Sequence, residues 1–429
     1  MSGGGPTDEP EHPASGSGET ARINGNVFRW LIAFAFSMVG DSAYFFALSW
    51  AAAQSGSPAE VGLVLGIGAV PRAILMLGGG VVVDRFGPRT VALASDSMRF
   101  LIIAGLSAVL VLATPGLWIL ILVAVLFGVV DAFFMPAVGA LPQAICEPHQ
   151  LVRVQGLRVL VIRTGNTVGP PLAGAILSWG GSAAAFSFIA VLFGASLLLL
   201  WHVRIVPLEK PPVEIQLTGE HPAEQAGPGR QLVAGFAYIR SRPVIASLVL
   251  TLAMVEIGSI APLNLGLLLL ADENGWGPAG AGWAIAAFGA GAGVSALVLT
   301  LLGAVRRAGV TYLISLLVGA AGIAGLAYDG GLLAFIVTSG LIGVALGLNG
   351  ALAYAFIQHE TDPAFIGRVM SVVSVVSFGI GPVGYPMFGA LIGVVGLPMA
   401  FLCCSGILMV GIVLGVRSAA VRSLTLPSG

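Results

Sequence analysis

Residues 78–90 read GGGVVVDRFGPRT and form a short charged segment between two long apolar runs. Each run exceeds the roughly 20 residues that an α-helix needs to cross a bilayer. Gly80 would let a neighbouring helix approach closely, and Gly87 permits a tight turn. Asp84 is placed to accept hydrogen bonds at the start of a packed helix. The segment therefore predicts a turn at a membrane surface between two spanning helices.

The whole chain has the composition of a membrane protein. Of its 429 residues, 57% are hydrophobic and 9% are charged, and the mean hydropathy is +0.98. Soluble domains carry roughly 25% charged residues, which excludes a soluble core. The net charge of −1 argues against a nucleic-acid partner, which would need a basic face. The three cysteines and five histidines form no cluster with ligand spacing, so we expect no metal and no cofactor.

We predict an all-α polytopic membrane protein with twelve transmembrane helices in two pseudo-symmetric six-helix bundles. Turn residues and charges place the spans near 27–52, 58–83, 90–113, 117–140, 154–178, 182–204, 243–270, 279–303, 310–328, 331–355, 367–394 and 396–416. A polar stretch rich in proline and glutamate separates the sixth and seventh spans. The predicted units are a disordered cytoplasmic tail, the N-terminal bundle, a cytoplasmic linker, the C-terminal bundle and a second cytoplasmic tail, at 1–26, 27–204, 205–242, 243–416 and 417–429.

The loop charges predict the orientation of the spans. None of the six predicted outer loops contains a lysine or arginine, although the chain has 19 of these residues. Loops rich in Lys and Arg stay on the cytoplasmic side. We therefore expect both termini and the linker to be cytoplasmic. The two halves also share a sequence repeat: Gly169 and Pro170 in span five correspond to Gly381 and Pro382 in span eleven.

The charged segment matches a family pattern, G-x-x-x-D-R-x-G-x-R, at five positions: Gly80, Asp84, Arg85, Gly87 and Arg89. In this pattern, and in its place after the second span, the chain resembles the major facilitator superfamily of transporters. The resemblance implies a loop that holds one transport conformation. Arg85 and Arg89 would pair with acids on adjacent helices, and Asp96 in span three is within reach. The alternative is an ordinary positively charged inner loop.

A second motif lies in span five, where residues 163–174 read RTGNTVGPPLAG. Four residues match the G-x-x-x-G-P-x-x-G-G pattern of antiporters in the same superfamily: Gly165, Gly169, Pro170 and Gly174. Ala175 stands in place of the last glycine. Small residues allow close helix crossing, and proline bends a helix at a defined point. The resemblance implies antiport, and a packing seam without influence on transport direction is the alternative.

Further stretches resemble a narrower group within the superfamily. Residues 127–145, 151–177 and 357–374 are similar to the branch that exports drugs and siderophores and includes the enterobactin exporter. This resemblance implies proton-driven efflux. It also implies a substrate cavity lined by spans 1, 2, 4, 5, 7, 8, 10 and 11.

Three carboxylates are predicted deep in spans: Asp41, Asp131 and Glu256. Arg72 and Arg163 lie at depths that suit pairing with Asp41 and Asp131 respectively. A carboxyl group removed from water favours its protonated form, so these acids are candidates for proton coupling. Glu256 has no arginine at its depth, and we expect it to carry the coupling proton. Asp41 could instead be kept only to pin the first two helices together through Arg72.

The predicted function is secondary transport by alternating access, with export of a small amphiphilic drug, antibiotic or siderophore in exchange for protons. Proton-coupled uptake of a small nutrient and a channel or receptor core are the alternatives. An enzyme is disfavoured because no nucleophile, base or metal ligands cluster near the membrane interface. The expected partners are the small-molecule substrate, protons and the lipid of the cell membrane, and we expect the transporter to work as a monomer.

Overall fold

The computed structural model describes residues 25–113, 116–204, 228–302 and 307–417, which form helices and no strand. In chain order the helices are α1 Gly25–Ala53, α2 Pro58–Phe86, α3 Pro88–Leu112, α4 Leu117–Ile145, α5 Leu151–Trp201, α6 Pro228–Ser241, α7 Pro243–Ala261, α8 Leu267–Glu273, α9 Gly277–Leu302, α10 Ala308–Gly325, α11 Gly331–Glu360, α12 Ile366–Gly379, α13 Gly381–Val395 and α14 Leu397–Arg417. Most of the predicted N-terminal tail, the linker up to residue 227 and the tail beyond Arg417 lie outside these ranges.

The described residues contain eleven helical segments that are long and apolar enough to cross a membrane. One of them, α5, has 51 residues, about twice what a crossing requires. It breaks at Gly181, where φ is +67°, a conformation that favours glycine. Its two arms are predicted spans five and six, so the twelve predicted crossings and the all-α class are confirmed.

Local sequence signals explain where several helices begin. Pro58 opens α2, and the side chain of Glu60 accepts a hydrogen bond from the backbone N–H of Ser57 at 2.7 Å. A serine cap with glutamate three residues later stabilises a helix start. Gly87 has φ of +82°, which turns the chain sharply from α2 into Pro88 at the start of α3.

Two crossings are interrupted where prolines remove backbone hydrogen bonds. Span seven consists of α7, a wide π-helical turn at Pro262–Gly266, and α8. Span eleven consists of α12 and α13, with Pro382 at the start of the second part. Proline lacks the N–H that would continue the helical ladder, so such breaks are expected at these positions.

The predicted linker 205–242 contains a helix that sequence reasoning missed. This helix, α6, packs on α12 and on the segment that precedes it: Gly235 lies against the backbone of Arg368 in α12. The ring of Tyr238 stacks on Phe365 with 4.4 Å between centroids, and its hydroxyl donates to Asp362 at 2.8 Å. The end of the linker is therefore attached to the second half.

Helix packing divides the described residues into two halves that meet mainly along two helix pairs. Within the first half, α1 packs mainly on α5, α2 on α4, and α3 against α4 and α5. Within the second half, α11 packs on α9 and α10, and α14 on α7 and α10. Between the halves, α2 packs on α13 and the first arm of α5 packs on α9.

The apolar core shows that the halves separate toward one end. At the end where α1 finishes and α2 begins, a single core cluster takes residues from both halves, including Val61, Phe186, Leu268 and Phe388. At the opposite end each half has a core of its own: one includes Trp30 and Phe134, and the other includes Tyr312 and Phe356. We call these the joined end and the separated end.

Candidate functional site

A cavity of about 720 Å³ lies between the two halves. It is lined from the first half by α1, α2, α4 and the first arm of α5, and from the second half by span seven, α9, α12 and α13. These are seven of the eight predicted spans, because no residue of span ten lines it. Its charged lining residues are Arg72, Arg163 and Glu256, and its aromatic ones are Tyr44, Phe45, Phe46, Phe288, Phe378 and Tyr385.

Close backbone contacts shut the cavity at the joined end. On α2, Gly62 lies against the backbone of Tyr385 and Gly66 against Pro386 of α13. Gly389 of α13 in turn lies against Pro58 at the start of α2. Only glycine permits this approach, because a Cβ would collide with the facing backbone. We call this contact the α2–α13 seam.

The predicted antiporter-like motif forms the matching contact on the other side. Gly174 lies against Pro278 of α9, and the carbonyl of Pro170 meets Gly282 of α9, which we call the α5–α9 seam. Gly165 and Gly169 face α1 instead, against Met38 and Ser42 respectively. The motif therefore packs α5 on both α1 and α9.

The two seams are related by the repeat that the sequence predicts. Pro170 meets a glycine of α9, and its counterpart Pro382 meets Gly66 of α2 through its carbonyl. Toward the separated end, several glycines have no close neighbour. A Cβ would meet nothing within 4 Å at Gly78, Gly80, Gly156 or Gly293. The close helix approach predicted at Gly80 is therefore absent in this conformation.

A charged cluster lies inside the first half, behind the cavity wall, and Arg99 of α3 is at its centre. The Arg99 side chain is fully buried, and its guanidinium contacts the carboxylate of Asp131 on α4. It lies 3.7 Å from Asp41 on α1 and 3.8 Å from Asp96 one turn back on α3. Its guanidinium carbon is also 3.8 Å from the centroid of the Phe134 ring. Such a ring attracts a cation through its negative face.

Arg72 joins this cluster to the cavity. Its Nε atom lies 2.8 Å from the second oxygen of Asp131, and its side chain is a quarter exposed. Arg72 also lines the cavity and lies 5.5 Å from the ring centroid of Phe45. Asp131 is therefore held between one fully buried guanidinium and one that faces the cavity.

The structure does not form the two ion pairs that the sequence predicts for Arg72 and Arg163. Arg72 was expected to pair with Asp41, but α2 packs on α4 rather than on α1, which brings Arg72 to Asp131. Arg163 was expected to pair with Asp131, but α5 scarcely touches α4. Arg163 is exposed on the cavity wall and forms no ion pair among the described residues.

Asp96 belongs to the cluster rather than to the charged loop. It is fully buried, and its two oxygens accept hydrogen bonds from Ser37 at 3.2 Å and Ser196 at 2.6 Å. The prediction that it pairs with Arg85 or Arg89 is therefore wrong. Arg89 instead donates to the carbonyl of Trp201 at 2.8 Å.

The remaining residues of the loop motif lie at the separated end. Asp84 and Arg85 are exposed, and neither forms an ion pair within the described part of the chain. Gly87 makes the turn that joins α2 to α3. Within the described ranges, this loop forms no ion pair with the second half.

Glu256 lies in the opposite wall of the cavity. It is partly buried on α7 and lines the cavity together with Ser377 of α12. No arginine of the described residues pairs with it, as the sequence predicts.

Arg99 is the main site residue that sequence reasoning missed. The available signal was Asp96 and Arg99 at i and i+3 in an otherwise apolar span, a spacing that places both side chains on one helix face. A charged pair within a membrane helix points to a functional interior position.

Comparisons with known proteins agree with this architecture. Residues 30–264, more than half of the chain, match the family model of the Major Facilitator Superfamily. The multidrug efflux pump Tap of Mycobacterium tuberculosis is 24% identical over 413 residues, which cover 94% of this chain and 95% of the pump. The enterobactin exporter EntS of Escherichia coli is 24% identical over 83% of this chain and 82% of the exporter.

Solved structures show the same fold at low identity. The nucleoside transporter NupG superposes with a TM-score of 0.69 at 14% identity, covering 93% of this chain and 100% of that structure. The POT family transporter PepTSo gives 0.70 at 12% identity over 93% and 98%. With the family model matched, and with twelve crossings around one central cavity, this multi-pass membrane protein belongs to the Major Facilitator Superfamily and is a transporter, not an enzyme.

Proposed function

We propose that this transporter exports a small amphiphilic compound from the cytoplasm in exchange for protons. The observation that carries the proposal is a central cavity with a mixed aromatic and charged lining, backed by a buried cluster of carboxylates. The relatives named as a multidrug efflux pump and an enterobactin exporter support the direction and the substrate class.

The cavity provides two different surfaces for such a compound. Rings such as Phe45 and Phe288 offer apolar contact, while Arg163 and Glu256 offer charges of opposite sign from opposite halves. Ligand cavities of about this size, with a few placed polar groups, bury most of a drug-sized molecule. Arg163 and Glu256 are the residues we assign to substrate contact.

Alternating access follows from two bundles that move against each other, at 27–204 and 243–416. The seams close the joined end, and we place that end outside the cell because its loops carry no Lys or Arg. The separated end, with the Asp84 loop and both termini, is then cytoplasmic, and the conformation faces inward. We assign the loop of Gly80, Asp84, Arg85, Gly87 and Arg89 to the reverse closure, in which it would contact the second half.

The test is transport in everted membrane vesicles that are acidified inside. Ethidium, tetracycline and enterobactin serve as cationic, zwitterionic and anionic probes. We expect at least one probe to accumulate in vesicles that contain the protein, and to leave when nigericin collapses the proton gradient.

Vesicles with the Asp84→Asn variant, matched for protein amount, are the control for transport by this chain. Accumulation that survives nigericin would refute proton coupling. Accumulation of a probe only in right-side-out vesicles would show uptake, and equilibration without uphill accumulation would show a channel.

A further inference from the structure

We propose that the charged cluster of the first half holds a single exchangeable proton, that this proton sits on Asp41, and that Arg99 is the positioning residue that makes it exchangeable. This inference rests on the proton coupling proposed above. It places the proton in the first half instead of on Glu256, where the sequence alone predicts it.

The charges of the cluster do not balance without a proton. Three carboxylates, Asp41, Asp96 and Asp131, face two guanidiniums, Arg72 and Arg99, within 4 Å. With every group ionised, the cluster carries one excess negative charge. An uncompensated charge out of water is costly, and binding one proton removes it.

The contacts decide which carboxylate takes the proton. Asp131 contacts both guanidiniums, and Asp96 accepts two serine hydrogen bonds besides its contact with Arg99. Asp41 has only the 3.7 Å contact to Arg99, and its Oδ1 atom is buried without a hydrogen bond. It is therefore the acid whose ionised form is stabilised least.

Asp41 is also the least buried acid of the cluster: 12% of its side chain is exposed, against 1% for Asp96 and 0% for Asp131. Tyr44 lies one turn further along α1, where i and i+3 side chains share a face. Its hydroxyl is buried and has no hydrogen-bond partner, and Tyr44 lines the cavity. Tyr44 therefore brings an unpartnered polar group to the stretch of α1 that joins Asp41 to the cavity wall.

Arg99 sets how tightly the proton is held. Its planar guanidinium presents several donors in fixed directions, so one side chain serves Asp41, Asp96 and Asp131 at once. A lysine is a point charge that would stay with Asp131. In the Arg99→Lys variant, ionised Asp41 would therefore lose the contact with a cation that stabilises its negative charge.

The test is infrared difference spectroscopy of the reconstituted full-length protein between acid and alkaline buffer, without substrate. We expect a carbonyl band from one buried protonated carboxyl group that titrates away in the wild type. The band should be absent in Asp41→Asn and present in Glu256→Gln.

Arg99→Lys should retain the band but bind the proton about tenfold more tightly, because an opposite charge within 4–6 Å changes proton affinity by at least that factor. Arg158→Lys on α5, outside the cluster, should leave the midpoint unchanged. The inference is overturned if the band survives in Asp41→Asn, if Glu256→Gln removes it, or if Arg99→Lys leaves the midpoint unmoved. If Asp41→Asn fails to fold, the band in Glu256→Gln and the titration midpoint of Arg99→Lys still test the inference.

The spectra separate this inference from the proposed function. A titrating Asp41 band in a protein whose transport ignores the proton gradient would keep the proton site and refute the coupling. Proton-driven transport in a protein without the band would keep the proposed coupling and refute Asp41 as the proton site.

Discussion

Placing Arg99 inside a membrane-spanning helix costs free energy. A charged side chain at the centre of a membrane helix costs about 2.5–3.5 kcal/mol on insertion scales. Here carboxylates from α1, α3 and α4 and the face of Phe134 surround the guanidinium. The cluster thereby ties three helices together as well as holding charge.

Asp131→Asn should destabilise the first half more than Asp41→Asn or Asp96→Asn. It leaves Arg72 and Arg99 without their shortest contacts, and breaking a buried pair costs about 3–5 kcal/mol. The measurement is the thermal unfolding midpoint in detergent.

Asp84→Asn is the matched control for this prediction, because Asp84 is exposed and forms no ion pair among the described residues. Its midpoint should equal that of the wild type. Equal midpoints for both variants would show that Asp131 contributes no net stability.

The depths of the buried charges could be predicted from the sequence, whereas their partners could not. Counting residues from the helix ends places Asp41, Arg72 and Asp131 inside the membrane at a rise of 1.5 Å per residue. Depth does not say which helices are neighbours. Arg72 reaches Asp131 because α2 packs on α4, a choice made by side-chain packing across the whole bundle.

At the scale of elements, the helix pairs α2–α13 and α5–α9 carry the contact between the halves. In each pair both helices supply glycines, and these lie against proline-containing turns of the partner helix. Gly169-Pro170 and Gly381-Pro382 could be recognised as a repeat in the sequence, but not that each proline packs on the opposite half. That pairing depends on how the two bundles are oriented.

Gly389→Val should open the joined end. A side chain there would collide with the backbone of Pro58 and Ala59, so the α2–α13 seam could not close. In a protein without Cys146, Cys403 and Cys404, a cysteine at Ser377 on the cavity wall should react several-fold faster with an impermeant maleimide applied outside intact cells.

Gly393→Val is the control, because a Cβ at Gly393 on the same helix meets nothing within 4 Å. It should leave the labelling rate at the wild-type level. Equal rates in both variants would show that the seam does not restrict access.

Helix boundaries followed from turn residues, with one omission. Pro58, Gly87 and Pro88 mark the ends of α2 and α3 within a few residues of the prediction. The omitted helix, α6, is short and lies within a polar linker. Its stability comes from contacts with Asp362, Phe365 and Arg368, more than 120 residues away, which no local pattern reveals.

For the whole molecule, orientation decides what the cavity faces. Single cysteines at Gln54 and Asn274 should be labelled from outside intact cells, and those at Glu147 and His359 only after permeabilisation. All four positions are exposed, so access through the membrane is the variable that differs. The opposite labelling pattern would show that the separated end faces the outside of the cell. The structure would then be outward-facing, which would contradict the proposed orientation and direction.

The seams also determine which conditions change the balance between closed and open states. They consist of glycine against backbone, and the one hydrogen bond described across the joined end links Gln54 to Asp272 at 3.1 Å. Separating them breaks van der Waals contact and no ion pair. Ionic strength should therefore have little direct effect on the seams themselves, since salt screens charges and not packing. Lateral pressure from the surrounding lipid acts directly on the distance between helices, so acyl-chain composition is the variable to which the closed state should respond.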